Sequence, residues 1–159
     1  MGRPDDAEIY AKYADELVRF ATGLVGRSQA QDVVSGAVVR CLGSRSWPTV
    51  GNPRAYLYRS VWAEARMAHR GSVRRQIRER EAAPPEWAAD PDVHPEILRA
   101  VSSLSLRQRA VIVLTYWADL DPPAVAEFLG IREGSVRRHL ARARARLREV
   151  LHDWNGGPE

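Results

Sequence analysis

A chain of 159 residues, 45% of them hydrophobic, has enough apolar side chain for one medium or two small packed domains. Its single cysteine, Cys41, excludes an internal disulfide and a cysteine-based zinc cluster, and we expect this thiol to be buried. The chain does not open on a charged stretch leading into an apolar segment, and no apolar run reaches membrane-spanning length. We therefore expect a cytoplasmic protein without a membrane partner.

The formal net charge is +4, and the positions of the charges are more informative than their sum. Eight basic and two acidic residues lie between Pro53 and Arg80, and six basic and no acidic residues lie between Gly134 and Arg148. Residues 81–98, between these two blocks, contain five acids and no arginine or lysine. Two basic blocks on either side of an acidic spacer predict two separate contacts with a polyanion.

Three helices are predicted in the N-terminal half. Apolar residues recur at spacings of three and four between residues 7 and 25, and a second helix follows with Ser28 as its cap. The third begins at Asn52-Pro53, a cap followed by proline at the first helical position. Its strong pattern ends at Gly71, and a basic extension to residue 80 is left open.

The spacer at residues 81–96 contains four prolines, too many for one continuous helix, and it predicts a linker. A helix is expected from Pro95-Glu96 to residue 102, and a longer one, capped by Ser105, over residues 107–117. The sequence thus predicts an all-α fold of two small helical domains, residues 1–80 and 97–154, joined by residues 81–96.

A helix-turn-helix is predicted over residues 122–147. Asp121 and two prolines start a short helix, Gly130 ends it in the left-handed conformation, and a last helix runs from about residue 133 to residue 154. On a helical wheel, Val136 and Leu140 face the core while arginines face outward near the N-terminal end, the part that enters the DNA major groove. The outward residues assigned to DNA are Ser135, Arg137, Arg138, His139, Arg142 and Arg144.

The same wheel divides the third helix into an apolar stripe and a basic, aromatic face. Aromatic rings beside arginines suit single-stranded nucleic acid, because bases stack on the rings while guanidinium groups neutralise the backbone. Tyr56 and Trp62 are also compatible with a role in a helical core. The residues of this face are Tyr56, Arg59, Trp62, Ala63, Arg66 and Arg70.

With both blocks placed, the chain resembles an extracytoplasmic-function sigma factor, the smallest group of the sigma-70 family. The strongest matches are NPRAYLYRSV at residues 52–61, LSLRQRAVIVL at 104–114 and AVAEFLGIREGSVRRHLARARARL at 124–147. Arginine and alanine usage is typical of an actinobacterial member. The resemblance implies that the N-terminal domain binds the core RNA polymerase and melts the promoter at the minus-ten element, whereas the helix-turn-helix reads the minus-thirty-five element.

By position, the resemblance implies a core-polymerase contact in the second helix, made by Asp32, Val33, Ser35, Gly36, Val39 and Arg40. It implies minus-ten contacts for Tyr56, Arg59, Trp62, Ala63, Arg66 and Arg70, and minus-thirty-five contacts for the outward face of the last helix. Ser35 and Gly36 replace the glutamine and acid usual in the family, and Ala63 stands where an asparagine is frequent. An anti-sigma factor is a further partner that the sequence leaves open, and the free protein is expected to be a monomer.

Two alternatives remain open at this stage. One is a stand-alone helix-turn-helix regulator, which explains the C-terminal domain but leaves the basic third helix unexplained. The other is a degenerate sigma-like protein that binds polymerase without opening promoters, an alternative supported by Ser35, Gly36 and Ala63. An enzyme is not expected, because the four histidines are scattered and no phosphate-binding glycine loop is present. No cofactor and no metal are expected.

Overall fold

The computed structural model describes residues 5–79 and 100–155, and every regular element in these two stretches is helical. The N-terminal half contains α1 (Asp6–Val25), α2 (Arg27–Leu42) and α3 (Pro53–Glu79), with one 3-10 turn (Trp47–Thr49) between α2 and α3. The predicted all-α fold and the positions of these three helices are confirmed.

The junction between α1 and α2 corrects the predicted cap at Ser28. Gly26 has a φ of 88°, a conformation that side chains rarely adopt, and this one residue makes the whole turn. Consequently α2 already begins at Arg27, and no side chain caps it. By contrast, the cap predicted for α3 is present, because Asn52 Oδ1 accepts a hydrogen bond from the backbone N–H of Ala55 at 3.1 Å.

Gly71 does not end α3, which continues to Glu79. The basic extension that the sequence left open is therefore helical. A β-carbon at Gly71 would have nothing within 4 Å, so the position is open and fully compatible with a helix. The cost of one exposed glycine in a helix is only about 1 kcal/mol, which is too little to end a helix of 27 residues.

The C-terminal half contains α4 (Leu106–Ile112), α5 (Pro122–Leu129) and α6 (Glu133–Asn155) after a helix whose last residues are 100–102. The predicted cap at Ser105 is part of a capping box with Gln108. The next turn, Val113–Trp117, is a π-helix, so the helix predicted over residues 107–117 is present but widens in its last turn. The predicted linker at residues 81–96 and the start of the helix ending at 102 lie outside the described residues.

One contiguous core joins the two halves. Leu17, Phe20 and Val61 from the N-terminal half belong to the same buried cluster as Leu114 and Val136 from the C-terminal half. The helix α3 packs on α5, and α1 packs on α4. The two domains predicted from the sequence therefore lie against each other, an arrangement that places α3 beside the helix-turn-helix.

Candidate nucleic-acid interface

The helix-turn-helix is formed by α5, a tight turn and α6. Asp121 Oδ1 accepts a hydrogen bond from the backbone N–H of Ala124 at 3.0 Å, which caps α5 as predicted. Gly130 then adopts the left-handed conformation, with φ 65° and ψ 36°. Since this conformation is costly for a residue with a β-carbon, glycine at this position lets the chain turn directly into α6.

The faces of α6 follow the predicted wheel. Val136 and Ala143 are fully buried, and Leu140 is nearly so. Arg137, Arg138, Arg142 and Arg144 are exposed, whereas Ser135 and His139 are half-buried. Because no acidic residue lies between Gly134 and Arg148, this outward face presents an unbroken positive surface.

The arginines of this face differ in whether their guanidinium groups form hydrogen bonds with other side chains. Glu133 Oε1 accepts hydrogen bonds from Arg137 Nε at 3.1 Å and Nη2 at 2.5 Å, and the Tyr116 hydroxyl accepts one from Arg144 Nε at 2.6 Å. Arg138 and Arg142 form no ion pair with any side chain in the described ranges. Their guanidinium groups are therefore available to a ligand in front of α6.

His139 lies among these arginines. Burial lowers the pKa of its imidazole, and the charges of Arg107, Arg138 and Arg142 lower it further. The ring is consequently neutral near pH 7, so that one nitrogen donates and the other accepts a hydrogen bond. A neutral imidazole among arginines suits contact with a base edge better than it suits contact with a phosphate.

On α3, the residues predicted to form the basic, aromatic face differ in exposure. Arg59, Ala63 and Arg70 are exposed, and Arg66 is half-buried with its guanidinium carbon 5.9 Å from the Trp62 ring. Trp62 itself is only 4% exposed, so in this arrangement of the halves it is a member of the core.

Tyr56, near the start of the same face, is half-buried and anchored at its tip. Its hydroxyl lies 3.2 Å from the Oγ atoms of both Ser44 and Ser46, and its ring centroid is 5.7 Å from that of Trp47. The loop between α2 and α3 thus fixes the orientation of this ring. Neither serine was singled out in the sequence, because nothing local relates residues that are 10 or 12 positions apart.

On α2, most of the residues assigned to the core polymerase lie on one exposed surface. Asp32, Ser35 and Arg40 are exposed, and Val39 is 73% exposed, which is unusual for a valine in a packed helix. Gly36 is half-buried, whereas Val33 is buried and packs inward.

A residue of α3 that the sequence did not indicate contacts the end of this surface. Glu64 of α3 forms a salt bridge with Arg40, and its carboxyl carbon lies 3.5 Å from where a β-carbon of Gly36 would be. A small residue at position 36 therefore leaves room for the Glu64 carboxylate.

No helix within residues 5–79 and 100–155 is long and apolar enough to cross a membrane. Within the same ranges, no group of three or more histidine, cysteine or acidic side chains is arranged to hold a metal ion.

Two family models match the chain: Sigma-70 region 2 over residues 9–75, and Sigma-70, region 4 over residues 94–147. An RNA polymerase sigma-E factor from Streptomyces antibioticus is 32% identical over 154 residues, which cover 91% of this chain and 83% of that protein. Its counterpart from Streptomyces coelicolor is also 32% identical, over 95% of this chain and 89% of its own length.

Among solved structures, the sigma factor RpoE in a co-crystal with the anti-sigma factor NepR from Bartonella quintana superposes with a TM-score of 0.73. The alignment covers 94% of this chain and 98% of that one at 22% sequence identity. This likeness supports the fold as a whole.

Proposed function

The chain belongs to the sigma-70 family of RNA polymerase sigma factors, and we propose that it is an extracytoplasmic-function member whose two basic faces engage the two promoter elements. The observation that carries this proposal is the outward face of α6, where Arg138 and Arg142 are exposed and no acidic residue lies between Gly134 and Arg148. The proposed domain limits are residues 1–80 and 97–154, with residues 81–96 between them.

The face of α6 reads the minus-thirty-five element in the major groove. Arginine near the N-terminal end of a recognition helix donates two hydrogen bonds to a guanine edge, and each such pair is worth about 1–3 kcal/mol of discrimination. Arg138 and Arg142 are the best placed for bases, since Arg137 and Arg144 are already held by Glu133 and Tyr116.

The face of α3 engages the minus-ten strand. Arg59, Arg66 and Arg70 neutralise the backbone, and the ring of Tyr56 offers a surface on which a base stacks. The ring of Trp62 is only 4% exposed, so it joins this surface only after the residues packed over it move.

The exposed surface of α2 binds the core polymerase. An exposed valine beside charged residues, as at Val39 between Asp32 and Arg40, is typical of a protein-binding patch with an apolar centre and a polar rim. The protein itself contributes binding and positioning without catalysis, and it acts in the cytoplasm with the polymerase.

Run-off transcription with purified bacterial core polymerase tests this proposal, on templates that include the DNA upstream of the protein's own gene. Specific transcripts that require the added protein are the expected result. Stable core binding without transcripts would favour a degenerate sigma-like protein, for which Ser35, Gly36 and Ala63 are the candidate causes. Neither core binding nor transcripts would instead favour a stand-alone regulator.

A further inference from the structure

Tyr116, in the π-helical turn before the helix-turn-helix, contacts Arg144 of α6. Arg144 Nε donates a hydrogen bond to the Tyr116 hydroxyl oxygen at 2.6 Å, and the Arg144 guanidinium carbon lies 5.5 Å from the centroid of the Tyr116 ring. The two residues are 28 positions apart in the sequence. A hydrogen bond and a cation–π contact therefore hold the same guanidinium group in one orientation.

The contact between Tyr116 and Arg144 lies on the surface of the protein. Tyr116 is 59% exposed, and Arg144 is exposed as well. Burial in the core therefore contributes little to the position of the Tyr116 ring. A ligand in front of the C-terminal half can reach both side chains.

The contact leaves the positive charge of Arg144 uncompensated. Elsewhere on α6, Arg137 is paired with the carboxylate of Glu133, and Arg146 is paired with that of Glu149. Arg144 has no acidic partner among the residues that the structure describes. A tyrosine hydroxyl is neutral, and while it accepts the Nε–H bond its own O–H can still donate to another acceptor. The arginine is thus oriented without being neutralised.

The backbone that carries Tyr116 has two uncommon features. Val113–Trp117 forms a single π-helical turn, a conformation that is rare and frequently found at functional sites. Shortly after this turn, Asp119 has a φ of 52°, in the left-handed region that few residues other than glycine adopt. Such conformations cost free energy and persist only where the surrounding structure stabilises them. Here they set the direction in which Tyr116 leaves the backbone before the chain enters α5.

Arg144 projects from one side of α6, beyond the end proposed to read bases. Seven residues are close to two helical turns, so Arg144 lies on the same side as Arg137, about 10 Å further along the axis. Contacts to phosphates fix the position of a recognition helix on the duplex, whereas contacts to base edges carry specificity. Arg144 is therefore placed for the phosphate backbone beside the groove that is proposed for Arg138.

We propose that Tyr116 and Arg144 form one phosphate-binding pair on the promoter duplex: Tyr116 orients the Arg144 guanidinium by accepting its Nε–H bond, and donates its own hydroxyl proton to the same phosphate. The inference rests on the proposed function of the α6 face. Tyr116 precedes the helix-turn-helix, so the pair adds to the DNA contact surface a residue that the recognition helix does not contain. Because the hydroxyl is neutral, the full charge of Arg144 strengthens its hydrogen bonds to the phosphate.

The salt dependence of duplex binding separates this role from a merely structural one. Each phosphate neutralised by a cation adds about 0.9 to the slope of log affinity against log salt concentration, whereas a neutral hydroxyl adds nothing by itself. Tyr116→Phe retains the ring and removes only the hydroxyl, so the slope changes only if the Arg144 guanidinium no longer holds the phosphate. Tyr10→Phe is the matched control, because it removes a hydroxyl from a half-buried tyrosine on α1.

Fluorescence anisotropy at several salt concentrations compares the full-length wild type and variants on two duplexes, the DNA upstream of the protein's own gene and a scrambled sequence of equal composition. We expect Tyr116→Phe to weaken binding to both duplexes about fivefold and to lower the slope, whereas Tyr10→Phe should bind as the wild type does. Arg144→Ala should lower the slope by about 0.9. In the Arg144→Ala background, Tyr116→Phe should cost less than about twofold in affinity, because the two side chains act together. Circular dichroism checks that each variant is folded.

Two results would overturn the phosphate-binding pair: an unchanged salt slope in Tyr116→Phe, or independent losses that multiply when Tyr116→Phe and Arg144→Ala are combined. Failure of the proposed function is a separate outcome, since phosphate contacts carry no sequence information. In that case the protein would bind both duplexes alike with core polymerase present and would yield no transcripts, even if the salt slopes changed as expected.

Discussion

Asp6 and Trp47 form a buried hydrogen bond between the start of α1 and the 3-10 turn. The indole Nε1 of Trp47 donates to Asp6 Oδ1 at 2.7 Å, and Trp47 is 1% exposed. Since a buried donor without an acceptor costs about 1–3 kcal/mol, this pair fixes the loop that orients Tyr56.

We predict that Asp6→Ala lowers the free energy of unfolding by about 1–3 kcal/mol, because the indole N–H loses its acceptor in a site that excludes water. Asp6→Asn retains an acceptor oxygen and should lose less. Urea denaturation followed by tryptophan fluorescence measures both variants. An Asp6→Ala protein as stable as the wild type would show that water replaces the carboxylate.

At the same scale, we expect Arg138 to contact bases and Arg148 to contact phosphates. Both are exposed, but Arg138 lies near the N-terminal end of α6 and Arg148 lies three turns further on. We predict that Arg138→Ala lowers the preference for the cognate minus-thirty-five sequence by about 1–3 kcal/mol. Arg148→Ala should weaken binding evenly across sequences and reduce its salt dependence.

Fluorescence anisotropy with holoenzyme on cognate and altered duplexes, at two salt concentrations, measures both effects. Equal losses on all sequences for both variants would contradict the assignment of the α6 face.

At the scale of helices and turns, two glycines have different structural roles: Gly130 forms a turn, and Gly71 lies inside a helix. Gly130 has a φ of 65° and a β-carbon there would lie 3.3 Å from Arg59 Nε, whereas the surroundings of Gly71 within α3 are open. A left-handed residue with a β-carbon costs about 1–2 kcal/mol, and alanine in an exposed helix gains about 1 kcal/mol over glycine.

We therefore predict opposite signs for two identical substitutions. Gly130→Ala should destabilise the protein by about 1–2 kcal/mol, and Gly71→Ala should stabilise it by about 0.5–1 kcal/mol. Thermal unfolding followed by circular dichroism gives both values. If Gly130→Ala were neutral, the turn would have an alternative conformation and the cap assignment would be wrong.

The helix positions were predictable because capping and periodicity are local. Asn52, Ser105 and Asp121 accept hydrogen bonds from N–H groups three positions ahead, a distance within reach of sequence inspection. The π-helical turn at Val113–Trp117 carries no such signal and was missed. Ser28 was wrongly assigned as a cap, because a glycine turn at position 26 left no room for one.

For the molecule as a whole, His69 lies where the two halves meet. Burial lowers the pKa of its imidazole, and the charge of Arg109 adds to this effect. Arg66, Arg70 and Arg107 line one cavity with His69, so every charged residue in its lining is positive. Protonation of His69 would add a further positive charge to this junction.

We predict that the folded protein loses stability as the pH falls below about 6.5. Below that value the unfolded chain binds the His69 proton more readily than the folded chain does, whereas above it both states are neutral and no effect remains. His69→Gln should reduce the loss between about pH 7.5 and pH 5.5, measured as the shift in the urea midpoint. The same pH dependence in His69→Gln and wild type would exclude this role for His69.

By itself the sequence determined the all-α class, most helix limits and the outward arginine face of α6, because helical periodicity and caps depend on residues within one or two turns. Only the tertiary structure decided that Trp62 is buried, that Glu64 pairs with Arg40 and that Glu127 binds Arg59. The physical reason is distance along the chain: packing of the halves joins residues up to 85 positions apart, as Arg109 and Leu24 show, and no local pattern records such a contact.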